Sequence, residues 1–161
     1  MRRVAGFSIA ELLVVVGILA IIAAVAMPNL VGAIRNKAFD AAVRQVASDA
    51  RFARSLAVSK GGYYRLQTQG NSYRLEHSNS VASWTSPDVI SNWQDLSSLY
   101  GGATIQSVSA SISSVDGAIF NSTGALVTSG NTLQSFSINL QKPDGTTKVI
   151  QIDPAGNVKM P

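Results

Sequence analysis

One long apolar run dominates the start of the chain. Sixteen consecutive residues, 12–27, carry no charged or polar side chain. Extended back to Phe7, the segment has 21 residues, and as a helix rising about 1.5 Å per residue it is about 31 Å long. That length matches a bilayer hydrocarbon core of about 30 Å. The pattern therefore predicts a membrane-spanning helix with a carboxylate, Glu11, near its N-terminal end.

Beyond Pro28 the apolar residues recur every three or four positions, which is typical of an amphipathic helix. Because proline removes a backbone hydrogen bond, we expect a kink or a locally melted stretch at Pro28 that ends near Gly32. One long helix, roughly Ser8 to Ser59, is predicted, with a membrane half and a soluble half. The apolar stripe of the soluble half consists of Phe39, Val43, Val46, Ala50, Ala53 and Leu56.

Downstream the apolar period changes to two, which is typical of strands. Hairpin turns are predicted at Gly70-Asn71 and at Lys142–Gly145, and the stretch 78–98 is expected to be loop with little regular structure. The predicted fold class is α+β, with a long N-terminal helix packed on a mainly antiparallel β-sheet head of six or seven strands. The predicted strands are 63–67, 72–76, 104–108, 117–120, 135–140, 148–152 and 157–160.

The amino-acid composition limits the kinds of chemical site that the chain can form. Only 14% of the 161 residues are charged, against roughly 25% in a typical soluble domain. The chain has no cysteine and one histidine, which excludes disulfides and thiolate sites and argues against a histidine-rich zinc site. We expect no enzymatic activity, no metal and no cofactor. His77 is interpreted as a histidine at an exposed strand end, and Trp84 and Trp93 as packing residues of the core or of a subunit interface.

Two ordinary explanations of the apolar run are a secretory signal peptide and a plain membrane anchor. Ala24-Val25-Ala26 fits a small-residue cleavage pattern, whereas the residues that follow it, 27–30, make a poor cleavage site. Neither explanation accounts for Glu11, because a charge at bilayer depth costs several kcal/mol unless it is paired.

The residues Gly6 to Val15, GFSIAELLVV, resemble the class III signal of type IV pilins and type II secretion pseudopilins. The resemblance implies a leader of residues 1–6, cleavage by prepilin peptidase between Gly6 and Phe7, and N-methylation of Phe7. It also implies an assembly helix over residues 7–30, in which Glu11 neutralises the terminal amine of a neighbouring subunit and Pro28 is the family's helix-kinking proline.

The same resemblance sets expectations for location and partners. Arg2 and Arg3 ahead of the apolar run predict a cytoplasmic N-terminus. A single-pass protein of the bacterial inner membrane is therefore expected, with its head periplasmic or otherwise outside the cytoplasm, which later joins a filament. The expected partners are prepilin peptidase, other pilin or pseudopilin subunits and the inner membrane.

The head, residues 31–161, is similar to the minor pseudopilins and minor pilins of the GspH/FimT type. The similarity lies in the Phe-x-x-x-Gly pattern from Phe120 to Gly124, in the segments SFSINL and KVIQID, and in a terminal Gly-x-Val. It implies a non-enzymatic minor subunit that joins, primes or caps a type IV pilus or a type II secretion pseudopilus.

The alternative function is a DNA- or substrate-binding minor pilin. Residues 35–74 carry eight basic and two acidic side chains, and the candidate nucleic-acid contacts are Arg44, Arg51 and Arg54. Some FimT-like pilins capture DNA through a basic Gly-Arg-x-Arg tail, but the corresponding segment 156–159 reads GNVK, with one positive charge. Nucleic-acid binding needs several phosphate contacts, so this residue-level match fails and the assembly function is favoured.

Overall fold

The computed structural model describes residues 8–110 and 117–160. The chain forms two compact units that meet between Lys37 and Ala38. In chain order the elements are α1 (Ile9–Lys60), β1 (Tyr63–Gln69), β2 (Ser72–Ser78), β3 (Asp88–Val89), β4 (Gln94–Asp95), α2 (Leu96–Leu99), β5 (Thr104–Ala110), β6 (Gly117–Phe120), β7 (Leu126–Val127), β8 (Phe136–Gln141), β9 (Thr147–Ile152) and β10 (Val158–Lys159).

Helix α1 has 52 residues, and each of its ends lies within one residue of the predicted bound. It is helical without interruption through Pro28 and Gly32, so the expectation of a melted stretch there is wrong. A proline removes only one backbone hydrogen bond from a helix, and the turns on either side of it keep their hydrogen bonds. In this helix that loss is not enough to end the segment.

In the first unit, every side chain whose burial is described between residues 8 and 37 is exposed. An 18-residue window of α1 has a mean hydropathy of 2.8, and none of it is buried. The segment is long and apolar enough to cross a membrane. Apolar surface of this extent is stable only against lipid or against other apolar helices.

In the second unit, α1 contributes one face to the core. The predicted stripe is confirmed, with Leu56 packed at its margin and only partly buried. Alanine holds five of the eight buried positions, and small side chains of this kind let a helix backbone lie close to a sheet. The buried helix residues are Phe39, Ala42, Val43, Val46, Ala47, Ala50, Ala53 and Ala57.

The first sheet has the strand order β3-β2-β1-β6-β7, and β4 also pairs with β2. Strands β1 and β2 form the predicted hairpin around Gly70-Asn71. Strand β6 pairs antiparallel with β1, so that Leu66 lies opposite Ala118. Both of these residues are fully buried and face the helix side of the core.

The second sheet has the order β10-β9-β8-β5. Strands β8 and β9 form the second predicted hairpin, with Phe136 opposite Ile152 and Ile138 opposite Ile150. All four of these side chains belong to the same core cluster as the helix stripe. The second unit is therefore an α+β head in which one helix packs on two antiparallel sheets.

The predicted antiparallel β-sheet head is confirmed, but the predicted count of six or seven strands is too low. The described residues form ten strands in two sheets. The missed strands β3, β4 and β7 have two residues each, which is too short to show an alternating pattern. Helix α2 and strands β3 and β4 lie within or beside the stretch 78–98, for which the sequence predicts little regular structure.

Contacts between polar side chains also join the helix to both sheets. Lys148 Nζ on β9 lies 2.8 Å from Asp40 Oδ1 on α1, and the Tyr73 hydroxyl on β2 donates to Asp49 Oδ2 at 2.7 Å. The hydrogen bond from Lys148 lowers the pKa of Asp40, so the stability this pair contributes is present at neutral pH and is lost on acidification. Burial, followed by the bond to Asp49, raises the pKa of Tyr73 far above its usual value.

The head is expected to fold without the first unit. A fragment that begins at Asn36 lacks the exposed apolar segment and keeps the complete buried stripe. We expect it to be a monomer by size-exclusion chromatography and to melt cooperatively by circular dichroism. A fragment that begins at Gly61 is the control, because without the stripe the sheets lose one wall of their core. A non-cooperative melt of the Asn36 fragment would show that stripe and sheets do not form one core.

Candidate assembly and binding surfaces

The N-terminal end of α1 places Glu11 in the first helical turn. Ser8 precedes the helix, and its Oγ accepts a hydrogen bond from the Ala10 amide at 3.3 Å, so Ser8 acts as the N-cap. Ser8 and Glu11 have the Ser-x-x-Glu spacing of a capping box, a signal that the sequence analysis missed. The carboxylate also lies where the helix dipole favours negative charge. The capping box and the helix dipole therefore both favour a glutamate at this position, in addition to the role in assembly predicted for Glu11.

Glu11 is exposed, and within residues 8–110 and 117–160 no cation forms an ion pair with it. Gly6 and Phe7, the predicted cleavage and methylation residues, lie outside the described residues. Pro28 lies within the continuous part of α1.

The three candidate nucleic-acid contacts all lie on α1, but they differ in their contacts. Arg44 is exposed, and its Nε donates to the Asp40 carbonyl at 3.3 Å. Arg51 Nη2 donates to the Val158 carbonyl at 3.0 Å. Arg54 also donates to the C-terminal segment, as described next. Two of the three guanidinium groups thus hold the fold together, and nucleic-acid contact by these residues stays a prediction.

Arg54 joins the helix to two loops. Its Nε donates to the Gly124 carbonyl at 3.1 Å and its Nη2 to the Ala155 carbonyl at 3.0 Å. Gly156 has a φ of 77°, and a Cβ at this position would collide with the Gly124 carbonyl oxygen. Only glycine fits there. The contact explains physically why the Phe-x-x-x-Gly pattern and the terminal Gly-x-Val occur together in this chain.

A buried ionic cluster lies on the face of the first sheet that points away from α1. Glu76 on β2 is 0% exposed. Arg65 on β1 donates to Glu76 Oε2 through Nε at 3.0 Å and through Nη2 at 2.5 Å. Arg74 pairs with the other carboxylate oxygen. With its side-chain nitrogen turned towards Glu76, Gln67 donates to the same carboxylate at 2.6 and 3.1 Å. We call Arg65, Gln67, Arg74 and Glu76 the outer-face cluster.

Two tryptophans cover the outer-face cluster. The guanidinium carbon of Arg65 lies 4.2 Å from the ring centroid of Trp84, and that of Arg74 lies 4.5 Å from the ring centroid of Trp93. These are cation–π distances. The tryptophans pack on arginines of their own chain and are not part of the core, and their packing at a subunit interface stays a prediction. Because its carboxylate is already surrounded by donors, Glu76 is suited to holding the 79–95 segment on the sheet and not to acid–base chemistry.

Sequence reasoning missed the outer-face cluster for a clear reason. Arg65, Gln67, Arg74 and Glu76 alternate with apolar residues, which is also the pattern of a solvated sheet face. The available signal was the register of the hairpin, which places Arg65 opposite Glu76 and Gln67 opposite Arg74. The covering residues come from a loop that has no periodicity.

His77 also has a structural setting. Its Nδ1 lies 3.1 Å from Asp88 Oδ2, which joins β2 to β3, and its ring packs on Tyr64 with centroids 4.8 Å apart. Its side chain is 18% exposed, so it is less exposed than predicted. Over the described ranges, no group of three or more histidine, aspartate or glutamate side chains is placed to hold a metal ion.

Comparisons with known families match both parts of the chain. The family model described as type II transport protein GspH matches residues 42–156. The model of the prokaryotic N-terminal methylation motif matches residues 1–27. The first match covers most of the head, and the second covers the predicted leader and the whole apolar run. A search among curated proteins found no match.

The fold also matches solved structures. A crystal structure of the type IV minor pilin FimU of Pseudomonas aeruginosa PAO1 is similar with a TM-score of 0.53 at 20% sequence identity, over 79% of this chain and 90% of that chain. A second crystal form of FimU gives a TM-score of 0.51 at 19% identity, over 76% and 91% of the two chains. At this level of identity the likeness establishes the fold, and it confirms the predicted pilin-like architecture.

Proposed function

The chain belongs to the GspH family of type II transport proteins and is a minor pilin or pseudopilin, and from this premise we propose how its N-terminal segment works. Prepilin peptidase cuts between Gly6 and Phe7, and the new terminal amine of Phe7 is methylated. The processed chain joins a type IV pilus or a type II secretion pseudopilus, where it primes or caps the filament. The observation that supports this proposal most is the apolar part of α1, in which every side chain of described burial is exposed, with a carboxylate in its first turn.

The first unit anchors the protein in the bacterial inner membrane before assembly. Its apolar window is long enough to span the bilayer, and Arg2 and Arg3 keep the N-terminus in the cytoplasm. The head is consequently periplasmic or otherwise outside the cytoplasm. In the filament, the same apolar surface leaves the lipid and packs against the helices of neighbouring subunits.

Glu11 sets the register of that packing. A carboxylate at bilayer depth is costly when it is alone, and the described residues supply it with no cation. The amine of Phe7 from a neighbouring subunit carries the opposite charge. Bringing the two together turns two costly buried charges into one pair. Because each charge has a fixed place on its helix, the pair also selects one axial offset between neighbours.

Small residues along the same segment allow this close approach. At Gly17 and Gly32, the place that a Cβ would occupy has no atom from outside the helix within 4 Å, so both surfaces are open to a neighbour. Small side chains let helices in an apolar environment pack closely. Pro28 lies between these two glycines, and in this proposal it gives α1 a local freedom to bend during packing.

The processing step can be tested directly by mass spectrometry. We expect protein extracted from the membrane to begin at Phe7 and to carry one added methyl group. The expectation rests on the order of Gly6, Phe7 and Glu11 and on the match to the methylation motif. A Gly6→Ala variant keeps the charge and the apolar run, but it changes the residue on which the peptidase acts, and its leader should remain attached.

Two results would contradict the proposal. An N-terminus near Met27 would show that a secretory signal peptidase processes the chain after Ala24-Val25-Ala26. An intact leader in the unchanged protein, produced in a cell with an active prepilin peptidase, would show that the apolar run is a plain anchor.

A further inference from the structure

The edge strands of the two sheets differ in length. Apart from β5, the edge strands of the two sheets have two residues each; they are β3, β4, β7 and β10. Strand β5 has seven residues, and in the described part of the chain no strand pairs with it on the side away from β8. Native proteins protect long edges with charges, proline or bulges. The 20 residues from 96 to 115 carry no charge and no proline, and the one irregularity in β5 is a register shift between Ile105 and Ser107.

The apolar core is also left open at this edge. Ile105, Val108 and Ala110 point towards the core but are only partly buried. Their partners on β8 are Leu140, Ile138 and Phe136, which are 0%, 0% and 2% exposed. A further strand beside β5 would bring its own inward side chains against this row and complete the burial.

A cavity adjoins the end of the same strand. It has a volume of about 450 Å³ and runs across the sheet from Ser109 and Ala110 of β5, past the start of β8 and the end of β9, to Lys159 of β10. Its two charged residues, Asp153 and Lys159, lie 4.0 Å apart and offset each other. The cavity is large enough to receive one uncharged side chain of an adjacent strand, which is how added strands obtain sequence specificity.

We propose that the edge of β5 accepts an extended, uncharged segment of a different pilin-like subunit, which adds to the second sheet as a fifth strand. Backbone hydrogen bonds to β5 supply the affinity. The inward side chains of the added strand pack on Ile105, Val108 and Ala110, and one further side chain of that strand enters the cavity. The inference rests on the proposed function, because it supposes that other subunits are held beside this head in the same filament.

A second copy of this chain does not fit the edge. The dyad that relates two antiparallel β5 strands stands perpendicular to the sheet. It therefore reverses the direction of any helix lying on that sheet, including residues 38–60 of α1. Copies of one chain in a filament with helical symmetry all point the same way along it, so two heads related by this dyad cannot both belong to the filament. If two β5 edges paired in parallel, the second sheet would be turned over relative to the first. Its polar outer face would then continue the apolar inner face of the first sheet.

The test places charges on the edge of the full-length chain. Ser107→Lys with Ser109→Lys adds two lysines to the outer face of β5, where they oppose strand addition. Thr147→Lys with Val149→Lys adds two lysines at the same i, i+2 spacing to the outer face of β9, which is an internal strand, and neither position lines the cavity. We expect the edge variant to be recovered with sheared filaments at about one tenth of the normal level or less. The β9 variant should be recovered normally, and both should show the unchanged circular dichroism spectrum.

The occupant is identified by a photo-crosslinking amino acid at Gln106, read by mass spectrometry in whole cells. We expect crosslinks to a different pilin-like subunit. Crosslinks to a second copy of the chain or to an exported protein would overturn the proposal, as would normal recovery of the edge variant. If the unchanged protein itself never enters filaments, the proposed function fails, whereas normal entry of both the unchanged protein and the edge variant refutes only the strand addition.

Discussion

Replacing Glu76 by alanine is expected to lower the free energy of unfolding of the head by about 3–5 kcal/mol. The carboxylate is fully buried and is held by Arg65 and Arg74. Its removal leaves two guanidinium groups, largely withdrawn from water, without their anion. Loss of one partner from a buried ion pair costs far more than the pair itself contributes, because the remaining charge stays desolvated.

The measurement is urea unfolding of the fragment that begins at Asn36. Asp144→Ala is the matched control: Asp144 also forms an ion pair, with Lys142 at 2.8 Å, but its side chain is 58% exposed, and exposed pairs contribute little. We expect that variant to lose much less free energy of unfolding than the Glu76 variant, mainly from the turn hydrogen bond that Asp144 Oδ1 accepts from the Thr146 amide. Equal midpoints for the Glu76 and Asp144 variants would show that the outer-face cluster does not stabilise the head.

A double-mutant cycle can separate the pair from its surroundings. Arg65→Met and Glu76→Met should each destabilise the fragment, and the double variant should lose less than the sum of the two, because the hydrogen bonds from Arg65 to Glu76 can be lost only once. Additive effects of the two changes would mean that Arg65 and Glu76 act independently. The same variants should expose Trp84, whose fluorescence reports whether the 79–95 segment has left the sheet.

Replacing Glu11 by alanine is expected to reduce incorporation into filaments at least about tenfold while leaving folding, insertion and processing intact. Insertion should persist because removal of a charge makes the apolar segment easier to keep in the bilayer. Cleavage should persist because the peptidase acts at Gly6-Phe7. The variant loses the carboxylate that compensates the amine of a neighbouring subunit, and that amine would then be buried unpaired.

Ser8→Ala distinguishes this assembly role from the local one. Removal of the N-cap costs the helix about 1 kcal/mol but leaves the carboxylate of Glu11 in place. If Glu11 only helps to start α1, the two variants should be depleted from sheared filaments to a similar degree. If it pairs with a neighbour, Ser8→Ala should be recovered near the normal level. Recovery of Glu11→Ala at that level would contradict the assembly role.

Some features of this protein follow from the order of its residues alone. The uncharged run 12–27 and the stripe from Phe39 to Leu56 are local periodic patterns, and both lie in the predicted helix. The hairpins at Gly70-Asn71 and Lys142–Gly145 depend on turn chemistry within a few residues. The leader pattern around Gly6 is also local, and by itself it indicates the class of type IV pilins and type II secretion pseudopilins.

Other features depended on contacts between distant residues. Strand β6 pairs with β1 across more than forty residues, and this pairing separates the head into two sheets. From the sequence Arg54 is a candidate nucleic-acid contact, yet its guanidinium is held by carbonyls about 70 and 101 positions away. Glu76 looked like one polar residue of an alternating strand. Its burial was decided by a loop without periodicity, since a side chain's environment is set by whatever packs on it and not by the spacing of its neighbours along the chain.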